Sequence, residues 1–495
     1  MKKLIATGTC ALLVLAGCGT RADDAEIQAG AGGGTVSLSQ QSIDELRAAT
    51  GGAATGTTAA GPGAVTAPSG TASTTTGGTA ATVPGTTAGT APAASSGGAS
   101  TANGKGGGTN PATAPGGTAT TAGTSCKGAG APVNIGQVGT FSGVTGPAWA
   151  GGRTAMAVWV KDVNARGGVA CHPVVLHFAD DGGDPARAAA LVQDQVKNGV
   201  VAFVGGHDDL SIAGFKQGVE TAKVPAVGGD AIAIEWNQSP YLFPQGAGIL
   251  DQIFGLMKQN VDAGAKKLGL LYCVEVAACS VANKAINSDG LAGKAGATVV
   301  YSSAISLTQT DFTAQCQSAK NAGADQLGLA MDGSSMARVA RSCAAVGYKP
   351  LLGGIGGTIS PGQAEDPNLR AFTLSTASPT APWTVFDTPG LKAYKAAMNI
   401  YAPGEEDSGS SVQMWTAGKL FEAAVAKLGA AAQTKALTAA MIIDGLHQIK
   451  NDTLGGLTGP LTFPNGPTPS NGCFFYEKLT AQGWTAPRGT KPVCR

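Results

Sequence analysis

The residues best placed to do chemistry in this 495-residue chain are acidic and closely spaced. His207, Asp208, Asp209, Leu210 and Ser211 form one short polar run, and Asp230 and Asp332 stand alone between apolar stretches. A histidine beside two carboxylates has the composition of a metal or acid–base cluster. Adjacent residues of one loop rarely supply a whole site, however, and a carboxylate before a helix has a plainer use as its cap. The chain carries no G-x-S-x-G elbow, no Gly-x4-Gly-Lys-Ser/Thr loop and no His-Glu-x-x-His pair. The residues therefore point to binding without catalysis, and to no cofactor and no metal.

The ten cysteines give a second chemistry. Cys10 falls in the N-terminal leader discussed below and Cys18 just after it, at the expected lipidation site, which leaves eight, an even number suited to disulfides outside the cytoplasm. Cys273 and Cys279 close a tight loop after a strand, Cys316 and Cys343 sit on two successive helices, and Cys473 and Cys494 clamp the C-terminal segment. Cys126 is then left for Cys171. A zinc site is the alternative, but there is no C-x-x-C pair, and of the four histidines only His172 lies near a cysteine.

The elements that must position these groups alternate. Val133–Val138, Val174–Phe178, Val200–Val204 and Val224–Val227 read as strands, with helices over 147–164, 185–198 and up to about Lys223. Asp184-Pro185 supplies an N-cap and a first-turn proline. The pattern restarts with strands at Lys267–Leu271, Thr298–Tyr301, Gln326–Ala330 and Leu351–Leu352. Short apolar runs between helical segments indicate βαβ units and parallel sheets. Two such series predict an α/β protein with two Rossmann-like, hinge-linked lobes and a ligand cleft at the C-terminal strand ends.

In this order the motifs resemble the type I periplasmic binding proteins, of the branched-chain amino-acid (Leu/Ile/Val) group of ABC transporter substrate-binding lipoproteins. The resemblance rests on Val138-Gly-Thr-Phe-Ser142-Gly143, Asn164-Ala-Arg-Gly-Gly168, Asp180-Asp181, Asp184-Pro185, Val204-Gly-Gly206, Thr310-Asp-Phe312 and Gly323-Ala-Asp325, and it covers about Pro132 to the C-terminus. It implies capture of a small molecule between lobes by hinge closure, for delivery to an ABC permease and its ATPase subunits. The alternative is a surface lipoprotein that senses its ligand and signals to a partner. The hinge is expected near Pro240–Gln245 and Gly354–Thr358.

The resemblance also implies ligand groups at strand ends. Ser142 is one, and Trp149 either packs on the ligand or is buried in its helix face. The loop holding Asp208, Asp209 and Ser211 is where amino-acid binders hold an α-carboxylate on helix amides; here two carboxylates either cap the helix or repel such a ligand. Asp230 and Ala231 stand where threonine is common, Ala278 falls where tyrosine is usual, and Asp332 falls near an aromatic position. Ile355 or Gly356 falls where an acid grips the ligand ammonium. Asp209, Asp230, Asp332 and Glu275 together predict an acidic cleft for a small polar ligand with amine or hydroxyl donors, an amino acid or another solute.

Composition divides the chain. All 26 aromatic residues lie at or after Phe141. Lys2, Lys3, an apolar run to Ala16 and Leu15-Ala16-Gly17-Cys18 read as a secretory signal, residues 1–17, with a lipobox that implies lipidation of Cys18 and a membrane-anchored, extracytoplasmic protein. Residues 18–125, rich in Thr, Ala, Gly and Pro, read as a disordered spacer that would average on the order of 55–60 Å end to end. The two-lobed domain then occupies 126–495, with lobe 1 about 132–245 plus a later return and lobe 2 about 246–355 plus C-terminal segments. The net charge of +1 and the lack of a basic stripe exclude a nucleic-acid partner.

Overall fold

In a computed structural model, residues 130–359, 362 and 365–495 are described. The signal, Cys18, the spacer and Cys126 lie outside the described residues. Strands β1 (Val133–Gly139), β2 (Val174–Asp180), β3 (Val200–Gly206), β4 (Ala226–Gly229) and β5 (Leu242–Phe243) form a parallel sheet in the order β2-β1-β3-β4-β5. Between them run α1 (Gly146–Ala165), α2 (Pro185–Lys197) and α3 (Ile212–Ala222). Asp184 caps α2 by accepting from the amides of Ala186 and Arg187, and Pro185 fills the first turn, where a missing N–H costs nothing.

The chain then crosses to a second lobe. Helix α4 (Ile249–Asp262) precedes β6 (Lys267–Cys273), α5 (Ala277–Asn287), α6 (Leu291–Ala295) and β7 (Thr298–Ile305). Helix α7 (Thr313–Asn321), β8 (Gln326–Ala330), α8 (Gly333–Ala345), β9 (Leu351–Ile355), α9 (Pro367–Arg370) and β10 (Leu374–Ser378) follow. The chain returns to the first lobe through α10 (Pro389–Tyr401), α11 (Gly409–Lys427), α12 (Ala430–Thr434) and α13 (Ala439–His447). It ends in the second with β11 (Cys473–Thr480), β12 (Gly483–Thr485) and β13 (Val493–Cys494). The second sheet runs β12-β11-β10-β9-β8-β6-β7. β10 to β11 is antiparallel, an edge that the βαβ pattern does not predict.

Helix α11 is buried on nearly every side, so its sequence shows no polar face. It packs on α1 so closely that a Cβ on Gly418 would lie 2.4 Å from the Trp159 ring. Three disulfides, Cys273–Cys279, Cys316–Cys343 and Cys473–Cys494, all lie in the second lobe. Cys171 in the first lobe is also disulfide-bonded.

Three segments join the lobes: residues 244–248, the stretch after Ser378, and the stretch before Cys473. They are laced together. A Cβ on Gly246 would meet the Pro379 carbonyl at 2.2 Å, and Ser470 Oγ accepts from the Gly248 amide at 2.7 Å. The first crossing overlaps the end of the segment expected as a hinge, Pro240–Gln245, whose Leu242 and Phe243 form β5 of the first sheet. The second does not meet its expected segment: Gly354–Ile355 ends β9 within the second sheet, and the chain crosses only after β10. Periodicity marked β9 as a strand end, but it gave no sign that one more parallel strand follows.

Candidate functional site

The loop from β3 into α3 crosses the top of the first sheet, where parallel strand ends leave room for a ligand. His207 lies under α1, which approaches so closely that a Cβ on Gly152 would be 2.6 Å from Nε2. Burial lowers the His207 pKa to about 3, so the ring is neutral, and neither ring nitrogen has a hydrogen-bond partner. Trp149, projecting from α1, stacks on it with ring centroids 4.6 Å apart and planes 18° apart. The indole Nε1 donates to Asp209 Oδ2 at 3.3 Å, and Thr145 Oγ1 donates to Oδ1 at 3.4 Å.

Four of the carboxyls at these strand ends do different work. Asp181 accepts from Thr140 Oγ1 at 2.9 Å and Ser211 Oγ at 2.6 Å, tying two loops together. Asp230 accepts from the amides of Asp208 and Ile232 and from Trp236 Nε1, so it organises its own turn. Asp208 is fully buried, and neither side-chain oxygen has a partner. Burial, with the nearby charges of Asp230, Asp181 and Asp209, raises its pKa well above the ordinary range. Burial also pushes Asp209 up to about 7 and Asp230 to about 6. Neither Asp208 nor Asp209 caps α3 through its side chain.

Beside this cluster opens a channel. It encloses about 840 Å³, open solvent at its mouth included. Thr145, Trp149, Asp209 and Ile232 line it from the first lobe, and Asp332, Ile355 and Thr358 face them from the second. From there it runs between α4, α5 and β6 past Ile253, Met257, Leu270, Ala282 and Ile286. Apart from the mouth the lining is apolar.

Of the residues singled out from sequence, Trp149, Asp209, Ala278, Asp332 and Ile355 line the channel. Ser142, Asp208, Ser211, Asp230, Ala231 and Glu275 are not among its lining residues. Ser142 is exposed and hydrogen-bonds Asp180. Ala231 is buried with φ +55°, and its carbonyl accepts from Gln252 Nε2 at 3.2 Å. Glu275 accepts from Ser306 Oγ and the Leu307 amide. Of the four carboxyls expected to form an acidic cleft, Asp209 and Asp332 line the channel and Asp230 and Glu275 do not. Asp230 is used up in its own loop, and Glu275 in a lobe 2 turn. Asp332, whose side chain caps α8, still borders the open space.

Sequence reasoning missed the channel wall itself. Ile249, Ile253, Leu256 and Met257 repeat at helical spacing, a signal identical to that of an ordinary packed face. The clue lies in α5, where Ala278 and Ala282 present side chains too short to fill the gap to the sheet.

The residue match of a periplasmic binding protein family model spans 132–477, and the chain belongs to that family. A fatty acid ABC transporter substrate-binding protein from Thermomonospora curvata shares 19% identity at a TM-score of 0.63, over 75% of this chain and 95% of that one. A branched-chain amino acid ABC transporter protein from Thermus thermophilus with bound valine shares 16% identity at 0.64, over 74% and 97%. A solute-binding protein of an R. palustris ABC transporter, in complex with benzoate, shares 15% identity at 0.58, over 74% and 98%. At these identities the likeness shows the fold. No curated protein matches the chain. The family is one of extracytoplasmic substrate-binding proteins. Among the described residues no helix is long and apolar enough to cross a membrane, and no group of three or more His, Cys, Asp or Glu could hold a metal ion.

The carboxyl cluster predicts a pH dependence. Carboxyls whose folded pKa is raised add stability below the unfolded value near 3.9, and that stability is lost as pH rises through the folded value. His207 acts oppositely, but only below its unfolded pKa of about 6.5. Between about pH 6.5 and 8.5 the fall therefore comes from Asp208, from Asp209 near 7, and from Glu477, which burial pushes up to about 8. Stability from urea unfolding should decline across this window, and Asp208→Asn should make the decline shallower. A rising curve, or an unchanged slope in the variant, counts against this account.

Proposed function

We propose that the chain is the lipid-anchored solute-capturing component of an ABC importer, that its ligand has an apolar body held in the channel, and that closure of the lobes over it presents the shape a permease recognises. The observation that carries this is the channel lined from both lobes, with Trp149, Asp209 and Ile232 on one side and Leu270, Ala278 and Ile355 on the other. A ligand touching both walls stabilises the closed arrangement over the open one, which is what couples binding to hinge closure. The relatives named for a fatty acid, valine and benzoate all take molecules with an apolar body. This reading adds an apolar body to the expected small ligand with amine or hydroxyl donors, because burying polar groups against this lining without partners is costly. The membrane link at Cys18 would keep the receptor near its permease, with the spacer giving it reach.

Native mass spectrometry of freshly purified protein tests this reading. A stoichiometric small-molecule adduct, whose removal lowers the unfolding temperature and whose return restores it with no product formed, is the expected result. Turnover of the bound molecule would overturn it. So would a protein that carries nothing and is stabilised by no apolar compound.

A further inference from the structure

We propose that the ligand is a single-chain amphiphile with a hydrogen-bond-donating head, an alcohol or a primary amine and not a carboxylate, whose alkyl chain threads into the interior of the second lobe between α4, α5 and β6. The proposal rests on the apolar-ligand reading above and names the substrate class. Two sets of observations carry it, one for each end of the molecule.

The chain end follows from the shape of the channel. It does not stop between the lobes, where a compact solute would sit, but continues past Ile253, Ala282 and Ile286 into the second-lobe core. Its lining reaches from Asp209 and Asp332 to Met257, Leu268 and Ile286, apolar residues of the second-lobe core. A long alkyl chain can follow that lining inward with its polar head left at the carboxyls.

The head end follows from where the hydrogens point. The polar side chains at the mouth are Thr145, Trp149, Asp209, Asp332 and Thr358. Thr145 Oγ1 and Trp149 Nε1 both donate to Asp209, and Thr358 Oγ1 donates to the Ile355 carbonyl at 2.9 Å. Their hydrogens are spent, and the capacity left over is that of carboxyl oxygens. The amide of Leu210, in the loop where amino-acid binders hold a ligand carboxylate, is taken at 3.1 Å by Asp209 itself. No Lys, Arg or His lines the channel. Arg338 of α8 is turned onto the carbonyls of Gln309 and Leu307 and onto Ser335 Oγ. Once Asp209 has ionised, a carboxylate head would enter a buried mouth with two carboxyls and no free side-chain N–H or hydroxyl donor, at a large desolvation cost. A hydroxyl or ammonium would instead donate to Asp209 from one lobe and Asp332 from the other, drawing the lobes together.

Calorimetric titration of the purified full chain with dodecanol, dodecylamine, dodecanoate, butanol and butylamine, each below its aggregation concentration, tests both ends. Dodecanol or dodecylamine should bind about ten-fold or more tighter than dodecanoate, and about 100-fold or more tighter than its butyl counterpart. Asp209→Asn should weaken the better dodecyl ligand about ten-fold. Ala282→Phe, shown folded by its thermal transition, should abolish dodecyl binding by plugging the channel. Dodecylamine affinity that rises with pH as Asp209 ionises would mark the amine, and a flat profile with dodecanol the alcohol; either supports the proposal. Dodecanoate binding tightest would overturn the head assignment and leave the apolar-ligand reading standing. Butyl compounds binding as well as dodecyl ones, or undiminished binding to Ala282→Phe, would overturn the threading. Stabilisation by compact apolar compounds with no dodecyl binding would overturn the proposal alone, whereas no stabilisation by any apolar compound would overturn the reading beneath it as well.

Discussion

Trp149→Ala is expected to cost about 3–5 kcal/mol of stability and to weaken ligand binding about ten-fold or more. The indole is 1% exposed and belongs to the apolar cluster that continues into α4 and α5 of the other lobe. It covers His207, whose two ring nitrogens have no partners, and it supplies one of the donors that hold Asp209 in place. Truncation would let water reach a buried imidazole, remove a wall of the channel and free Asp209 to move. Trp149→Phe separates these effects: the stacking returns, so most of the stability should return, but the bond to Asp209 does not. Urea unfolding of both variants, with dodecanol and dodecylamine titrations, checks the prediction. A loss below about 1 kcal/mol in the alanine variant would mean that the stack is incidental.

Replacing Cys316 and Cys343 together by alanine is expected to cost about 3–4 kcal/mol, the loop-closure value for a bridge of this separation. The two residues are 27 apart in sequence, fully buried, and joined between α7 and α8 on the face of the second sheet opposite α4. Alanine is the right substitution because serine would leave two hydroxyls in an apolar core, adding a second cost. The second lobe also contains most of the channel wall, so a loosened lobe should bind its ligand less tightly as well. Comparing urea unfolding of the oxidised protein with that of the oxidised double variant, in which the other bridges remain, isolates this one. Similar stability in the two would place the cross-link outside the cooperative unit.

What could be read from the sequence was local. Apolar runs at strand spacing located β1, β3 and β8 to within two residues, because central parallel strands are buried on both faces and show it, and placed the half-buried edge strand β2 as closely. The Asp184-Pro185 pair placed the start of α2, since capping depends on neighbours only. The resemblance to the periplasmic binding proteins rested on turn and cap residues of this kind, and the family match agrees with it. The second crossing between lobes, the antiparallel edge at β11 and the return of α11 beneath the first sheet depend on pairings across distant segments. No local pattern records these.

The site divides in the same way. Residue types alone determined that carboxylates crowd the loops after β3 and β4, and that no catalytic motif accompanies them. Which way each carboxylate faces was decided by tertiary contacts. Asp230 is claimed by Trp236 and the Asp208 amide, Asp208 is shut in without a partner, and Asp209 is left at the channel mouth. The channel is the clearest case, since helix periodicity registers which residues point inward but not whether the space they point into is filled. That depends on the summed volumes of side chains from α4, α5 and β6, and here short alanines in α5 leave it open.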